Sequence, residues 1–469
     1  IIAVDAETDG VNGFDALDGA TDVETFTIGA KTYAIVTGEF DNGVQMIDVS
    51  DPTNIVALDA ETDGVNGFDR LDRAHGVDTF TIGASTYAIV TAPNVNMPGL
   101  TDGIQVIDVS DPTNIVAKDS MTEGRIKDAY NVETFTIGAS TYAIVPSNGA
   151  NGVQMIDVSD PTNIVGTDEE YNNNNGFDKL TRATDVAIFT IGSSTYAIVT
   201  AGNPLGHGVQ IIDVSDPTNI VAKDSASSVD MQIYRAHGVD TFTIGASTYA
   251  IVTSQGGSGS GVQIIDVSDP TNIVGKDAET DGVNGFTELQ WAHDVDIFTN
   301  GASTYAIVTG RTDNGVQIID VSDPTDIVAV DAETDGVNGF TELQGAQGVD
   351  TFTIGSSTYA IVASQQDDGV QIIKLSTATS DDAILINKNT NTSLSESIAL
   401  GDSISVGRAI TQSLTESISL SDSISSTLEI ILNESVVLTD GITIGKTVTQ
   451  SLTETLQLQT ASQYNDITA

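Results

Sequence analysis

Four times the sequence sets three carboxylates at alternate positions ahead of a glycine. They are Asp5, Glu7 and Asp9; Asp59, Glu61 and Asp63; Asp277, Glu279 and Asp281; and Asp331, Glu333 and Asp335, each inside the phrase DAETDGVNGF. Several oxygens from one turning loop suit a hard cation such as calcium. The loop is no EF-hand, because its twelfth position is Ala16 in the first copy. Three further copies depart from the pattern, starting at Asp119, Asp168 and Asp224. The competing reading is a solvated turn, multiplied because the repeat around it was duplicated.

Two more slots could do chemistry. His75, His237 and His293 share one, which holds Thr21, Tyr130, Thr184 and Gln347 elsewhere. Imidazoles gathered on one axis would ligate a transition metal; a polar residue inherited with the repeat is the simpler account. Three residues on, Glu24, Asp78, Glu133, Asp240, Asp296 and Asp350 form an acidic series broken by Ala187. A ring of carboxylates would draw cations, unless neighbouring backbone or water takes each one up. No nucleophile elbow, phosphate loop or metalloprotease helix is present. We therefore expect no enzyme and no cofactor beyond calcium.

The elements that position these residues are repeats. TFTIGASTYAIVT recurs with tyrosines at 33, 87, 142, 196, 249, 305 and 359. GVQIIDVSDPTNIV follows each, with glycines at 43, 103, 152, 208, 261, 315 and 369. Each unit reads as four short strands rich in β-branched and aromatic residues, joined by Gly and Asp-Pro turns. Seven such units predict an all-β, seven-bladed β-propeller over residues 1–375. The seventh unit ends at GVQIIKLSTATS and lacks a fourth strand. Ile1–Asp5 aligns with Ile327–Asp331 and should supply it, closing the ring without an exposed edge.

The stretch YAIVTGEFDNGVQMIDVSDPTNIV (Tyr33–Val56) resembles the LVIVD-repeat family. That resemblance implies a seven-bladed propeller on an exported or cell-surface protein. It implies no catalytic residue.

Residues 376–392 read as a linker, and residues 393–469 as a Ser/Thr-rich β tail. From Leu394 to Leu458, 21 of 33 even positions are Leu, Ile or Val, against two of the 32 odd ones, Ile431 and Val437. Such strict alternation is the period of a half-buried strand. A two-residue hairpin would switch the parity, so the constant phase demands very long strands or odd-length connections. TQSLTES at Thr411 returns as TQSLTET at Thr449, which predicts two 38-residue units. The apolar face comprises Leu394, Ile398, Leu400, Ile404, Val406, Ile410, Leu414, Ile418, Leu420, Leu428, Ile430, Val436, Leu438, Ile442, Ile444, Leu452 and Leu456. It would be buried in a small sandwich or against another subunit. Ser-Leu-Ser-Glu-Ser runs of this kind resemble tails of exported archaeal surface proteins.

Composition narrows the partners. The chain has 16 basic and 66 acidic residues, a net charge of −50, and no cysteine. Such a surface repels nucleic acid and anionic membranes, which bind through Lys and Arg. No apolar run reaches the length of a membrane-spanning helix. The first residue is Ile rather than Met, which leads us to expect a trimmed, exported protein, extracellular or on the cell surface. The expected function is a structural subunit of a filament, its tail adding strands to the next copy head to tail. The alternative is a monomeric adhesin or glycan-binding propeller, dependent on calcium.

Overall fold

The computed structural model describes residues 1–93, 102–202, 208–228, 231–256 and 259–375, with four short strands beyond them. Residues 1–375 form one compact unit of seven four-stranded antiparallel sheets. The first blade runs Ala20–Ile28, Lys31–Gly38, Gly43–Asp48 and Val56–Thr62. Its first two strands turn through Gly29, whose φ of 67° only glycine adopts freely. The third strand is buried along its length, while the fourth is half-exposed. Neighbouring blades meet chiefly through their first strands, which therefore surround the axis.

The seventh blade closes as expected. Its own strands are Ala346–Ile354, Ser357–Ser364 and Gly369–Lys374, and Ile2–Thr8 pairs antiparallel to the last. Thr8 lies opposite Gly369 and Ile2 opposite Lys374.

The core lies between the blades rather than within them. Each of seven apolar clusters joins two neighbours. Phe26, Ile35 and Val44 of the first blade, for instance, pack on Phe68, Leu71 and Val90 of the second. The seam between the last and first blades is filled the same way, by Phe352, Ile361, Phe14 and Val36. Burial of this kind contributes about 25 cal/mol per Å² of apolar surface.

Two polar devices recur. One glutamine per blade sits in the third strand. Gln317 Nε2 donates to the carbonyls of Asp331, at 2.8 Å, and Ile318, while its Oε1 accepts from Thr287 N at 2.9 Å. Asp331 borders a bulge in the fourth strand, where the register slips between the partners of Ile318 and Ile319. That bulge also frees the second device. Asp59 Oδ2 accepts from Ile115 N of the next blade at 2.8 Å, and Asp119, Asp168, Asp224, Asp277 and Asp5 repeat the bond to Ile164, Ile220, Ile273, Ile327 and Ile55. The seventh copy joins Asp331 to the nitrogen of Ile1.

Beyond residue 375 the described strands are Ala399–Leu400, Ser419–Leu420, Val437–Leu438 and Gln457–Leu458. They pair in parallel, Leu400 opposite Leu420, Leu420 opposite Leu438, and Leu438 opposite Leu458. The steps are 20, 18 and 20 residues, so each expected 38-residue unit divides into two shorter ones. Even steps in parallel register keep the parity constant without long strands or odd-length connections. The other expected assembly positions, from Leu394 to Leu456, and the linker at 376–392 lie outside the described residues.

Replacing Gln317 by Leu removes the partner of three backbone groups, one buried and two partly buried, and each buried orphan costs about 1–3 kcal/mol. Urea denaturation should show a loss of about 2–5 kcal/mol for Gln317→Leu. The exposed Gln366→Leu should change stability by less than about 0.5 kcal/mol.

Candidate functional site at the axial mouth

The first strands carry layers of side chains down the axis. A bulge near the start of five of them, as between Ala20 and Asp22, re-aims the residues there. At the mouth the seven equivalent residues are Gly19, Arg73, Asp128, Arg182, Arg235, Trp291 and Gly345, all with positive φ. Below them come Thr21, His75, Tyr130, Thr184, His237, His293 and Gln347, the slot expected to gather imidazoles. Threonines of four preceding blades fix this layer: Thr37 donates to His75 O at 2.6 Å and Thr309 to Gln347 O at 2.6 Å, and Thr200 and Thr253 bond His237 O and His293 O likewise.

These two layers wall a cavity of about 620 Å³. Arg73, Arg182, Arg235 and Arg311 line it, with His75, His237, His293, Gln347, Gln365 and Glu39. Four of the seven arginines in this strongly acidic chain thus meet in one place. Glu39 accepts from Arg73 and, at 2.6 Å, from Gln365. Gln365 in turn accepts from Arg311 at 2.5 Å. Burial pushes His75 down to about 3 and His237 to about 4, and holds His293 well below its ordinary value, so all three are neutral at pH 7.

Two of the imidazoles do come together, His237 against His293 with ring centroids 4.0 Å apart and the planes tilted by 45°. His75 instead meets Tyr130 edge-on. Among the described residues no group of three or more His, Asp or Glu side chains is arranged to hold a metal ion.

The acidic layers lie deeper. Asp22, Asp185 and Asp294 accept backbone N–H groups of the next blade from Val77, Val239 and Val349, at 2.8–2.9 Å. The expected ring follows the same rule: Asp350 accepts from Thr25, Asp78 from Thr134, Asp240 from Ile297 and Asp296 from Thr351. Burial pushes Asp22 and Asp185 up to about 7 and Asp78 to about 6. Glu24, Glu133, Asp240, Asp294 and Asp350 are raised further, with neighbouring carboxylates adding to the effect of burial.

The twelve carboxylates of the DAETDGVNGF loops do not converge. In the first loop Asp5 bonds Ile55 N, Glu7 accepts from Asn12 at 3.1 Å, and Asp9 accepts from Leu17 N at 3.1 Å. Asp59, Glu61 and Asp63 repeat this division with Ile115, Asn66 and Leu71. Asp277, Glu279 and Asp281 do so with Ile327, Asn284 and Leu289. Asp331, Glu333 and Asp335 do so with Ile1, Asn338 and Leu343. The loop folds on itself, Gly10 N to Phe14 O, and delivers Phe14 into the core.

The arginines were the signal missed in the sequence. Three share one repeat slot and the fourth stands at the slot of Glu39, where a repeat departs from its own pattern.

A model of the LVIVD repeat matches residues 32–58, 101–123, 196–227 and 304–331. These segments fall on the later strands of the first, second, fourth and sixth blades. The chain is a seven-bladed propeller that carries LVIVD repeats in four of its blades. No curated protein matches it in sequence. The propeller is similar in fold to several solved structures. Kuenenia stuttgartiensis hydrazine synthase matches with TM-score 0.50 and 13% identity, over 77% of this chain and 96% of that one. BBS1N, solved in complex with ARL6DN, matches with TM-score 0.51 and 9% identity, over 81% and 99%. An ancestral GH74 enzyme matches with TM-score 0.52 and 13% identity, over 78% of this chain and 49% of that chain. At such identities the likeness concerns fold alone.

The axial carboxylates make stability depend on pH. A folded pKa of about 7 for Asp22 and Asp185, against 3.8 for the free side chain, means the folded state holds protons that the unfolded state has lost. Glu288 and Glu342, also pushed up to about 7, act in the same sense. Their contribution is complete below about pH 4 and lost as pH rises through 7. The depressed histidines oppose it only below about pH 6.5. The melting temperature should therefore rise as pH falls from about 8 to about 6.5. Asp185→Asn should flatten that slope; a slope unchanged in the variant would refute the assignment.

Proposed function

We propose that the protein is a non-enzymatic, exported binding module. Its propeller takes a small polar ligand at the axial mouth, and its tail joins the propeller to a larger surface structure. The cavity carries this reading: about 620 Å³ lies in the range of small-molecule sites, and equivalent slots of the repeats line it with Arg, His, Gln, Thr and Tyr. The hydroxyls nearest the imidazoles, Thr37, Thr200 and Thr253, donate to backbone carbonyls, so none is poised as a nucleophile. The axial aspartates are likewise occupied with backbone N–H groups.

A second reading, a filament subunit built through the tail, draws on the parallel strands from Ala399 to Leu458. Alternating strands with open edges are what strand addition between copies requires.

Gly202 lines the cavity, and among the described residues a Cβ there would meet nothing nearer than 3.5 Å. Gly202→Trp should fill the site without unfolding the ring. In a thermal-shift panel of sugars and small organic acids, the full chain should give saturable hits that Gly202→Trp loses. A panel without hits, or hits that survive the substitution, would remove the reading. Electron microscopy of the full chain against a chain ending at Leu375 tests the second one: filaments should form only with the tail.

A further inference from the structure

We infer that the ligand of the axial mouth is a small hydroxylated anion, a carboxylate or phosphate ester carried on a sugar-like body. The inference rests on the binding reading above and names the chemistry of its site.

Charge is the first argument. Among the described residues that line the cavity Glu39 is the one carboxylate, and Arg73 and Gln365 already bond it. Arg311 donates to the neutral Gln365. Arg235 faces the Trp291 ring at 5.9 Å, and the Arg182 guanidinium makes no hydrogen bond or ion pair among the described residues. Three guanidinium groups thus line one cavity with no ion-pair partner among the described residues, in a chain of net charge −50. Guanidinium forks match carboxylate and phosphate oxygens bidentately.

Backbone strain is the second. The mouth slot has φ of 60° at Arg73, 54° at Arg182 and 53° at Arg235. Glycine fills the same slot at Gly19 and Gly345. A left-handed backbone disfavours arginine, and such outliers collect at binding sites. The arginines hold places that the repeat itself fills with glycine elsewhere.

The floor supplies the third. Gln347 is 1% exposed, lines the cavity, and its Nε2 has no partner among the described residues. A buried donor left open is costly unless a ligand acceptor meets it. His75 and His237 direct Nδ1 at the carbonyls of Tyr130 and His293, at 3.0 and 3.2 Å. Neutral rings donating there keep Nε2 as an acceptor, which suits a ligand hydroxyl. A ligand with oxyanion and hydroxyl groups meets both demands; a bare inorganic anion meets only the first.

The test is calorimetric titration of the full chain with galacturonate, glucose 6-phosphate, galactose and inorganic phosphate. At least one charged sugar should bind ten or more times tighter than galactose, and lose affinity when salt rises from roughly 0.05 to 0.5 M. Galacturonate and glucose 6-phosphate separate the carboxylate from the phosphate source. The variant Arg182→Gly with Arg235→Gly should lose at least tenfold in that affinity without a lowered melting temperature, since glycine relaxes the slot. Charged sugars binding no tighter than galactose, binding equally to the variant, or not binding at all would overturn the inference. Galactose binding that Gly202→Trp abolishes would leave the axial binding reading standing and remove only the anion.

Discussion

A glutamine amide buried between strands holds each blade in shape. Its donor fixes the carbonyl at the bulge of the fourth strand, and its acceptor anchors the loop that enters the blade. The bulge turns one aspartate outward, and that aspartate grips the next blade at an isoleucine N–H. One local interaction thus sets the angle at which blades meet, and seven equal angles close a ring. The apolar clusters between blades supply the bulk of the stabilisation, but a hydrophobic contact has no direction. The amide and the carboxylate supply direction.

Ring closure explains why so many carboxylates tolerate the axis. Seven first strands face one another with their inner backbone N–H groups unpaired. In six of the seven blades an aspartate accepts such a group from the next blade, and burial keeps much of its charge suppressed. The cationic mouth stands on this acidic throat. Where the repeats agree, they build the ring. Where they differ, at Arg73, Arg182, Arg235 and Arg311, they shape a cavity.

The tail obeys another constraint. Alternation with constant parity is compatible with strands that stack at even steps, each leucine over the next. Within its four described strands the chain satisfies backbone groups by parallel pairing, a geometry of repetition along a line rather than around a ring.

Much was decided by the sequence alone. Period-two alternation, turn glycines and seven copies of GVQIIDVS gave the blade, the ring and the closing role of Ile1–Asp5, because strand patterning and repeat number are local properties. The acidic loops were legible as turns, but their partners were not. Asp59 finds Ile115 only across a blade interface, and Asn66 and Leu71 only through the curl of the loop. Tertiary structure alone revealed the site. Arg73, Arg182, Arg235 and Arg311 are separated by whole repeats, and only closure of the ring brings them to one mouth.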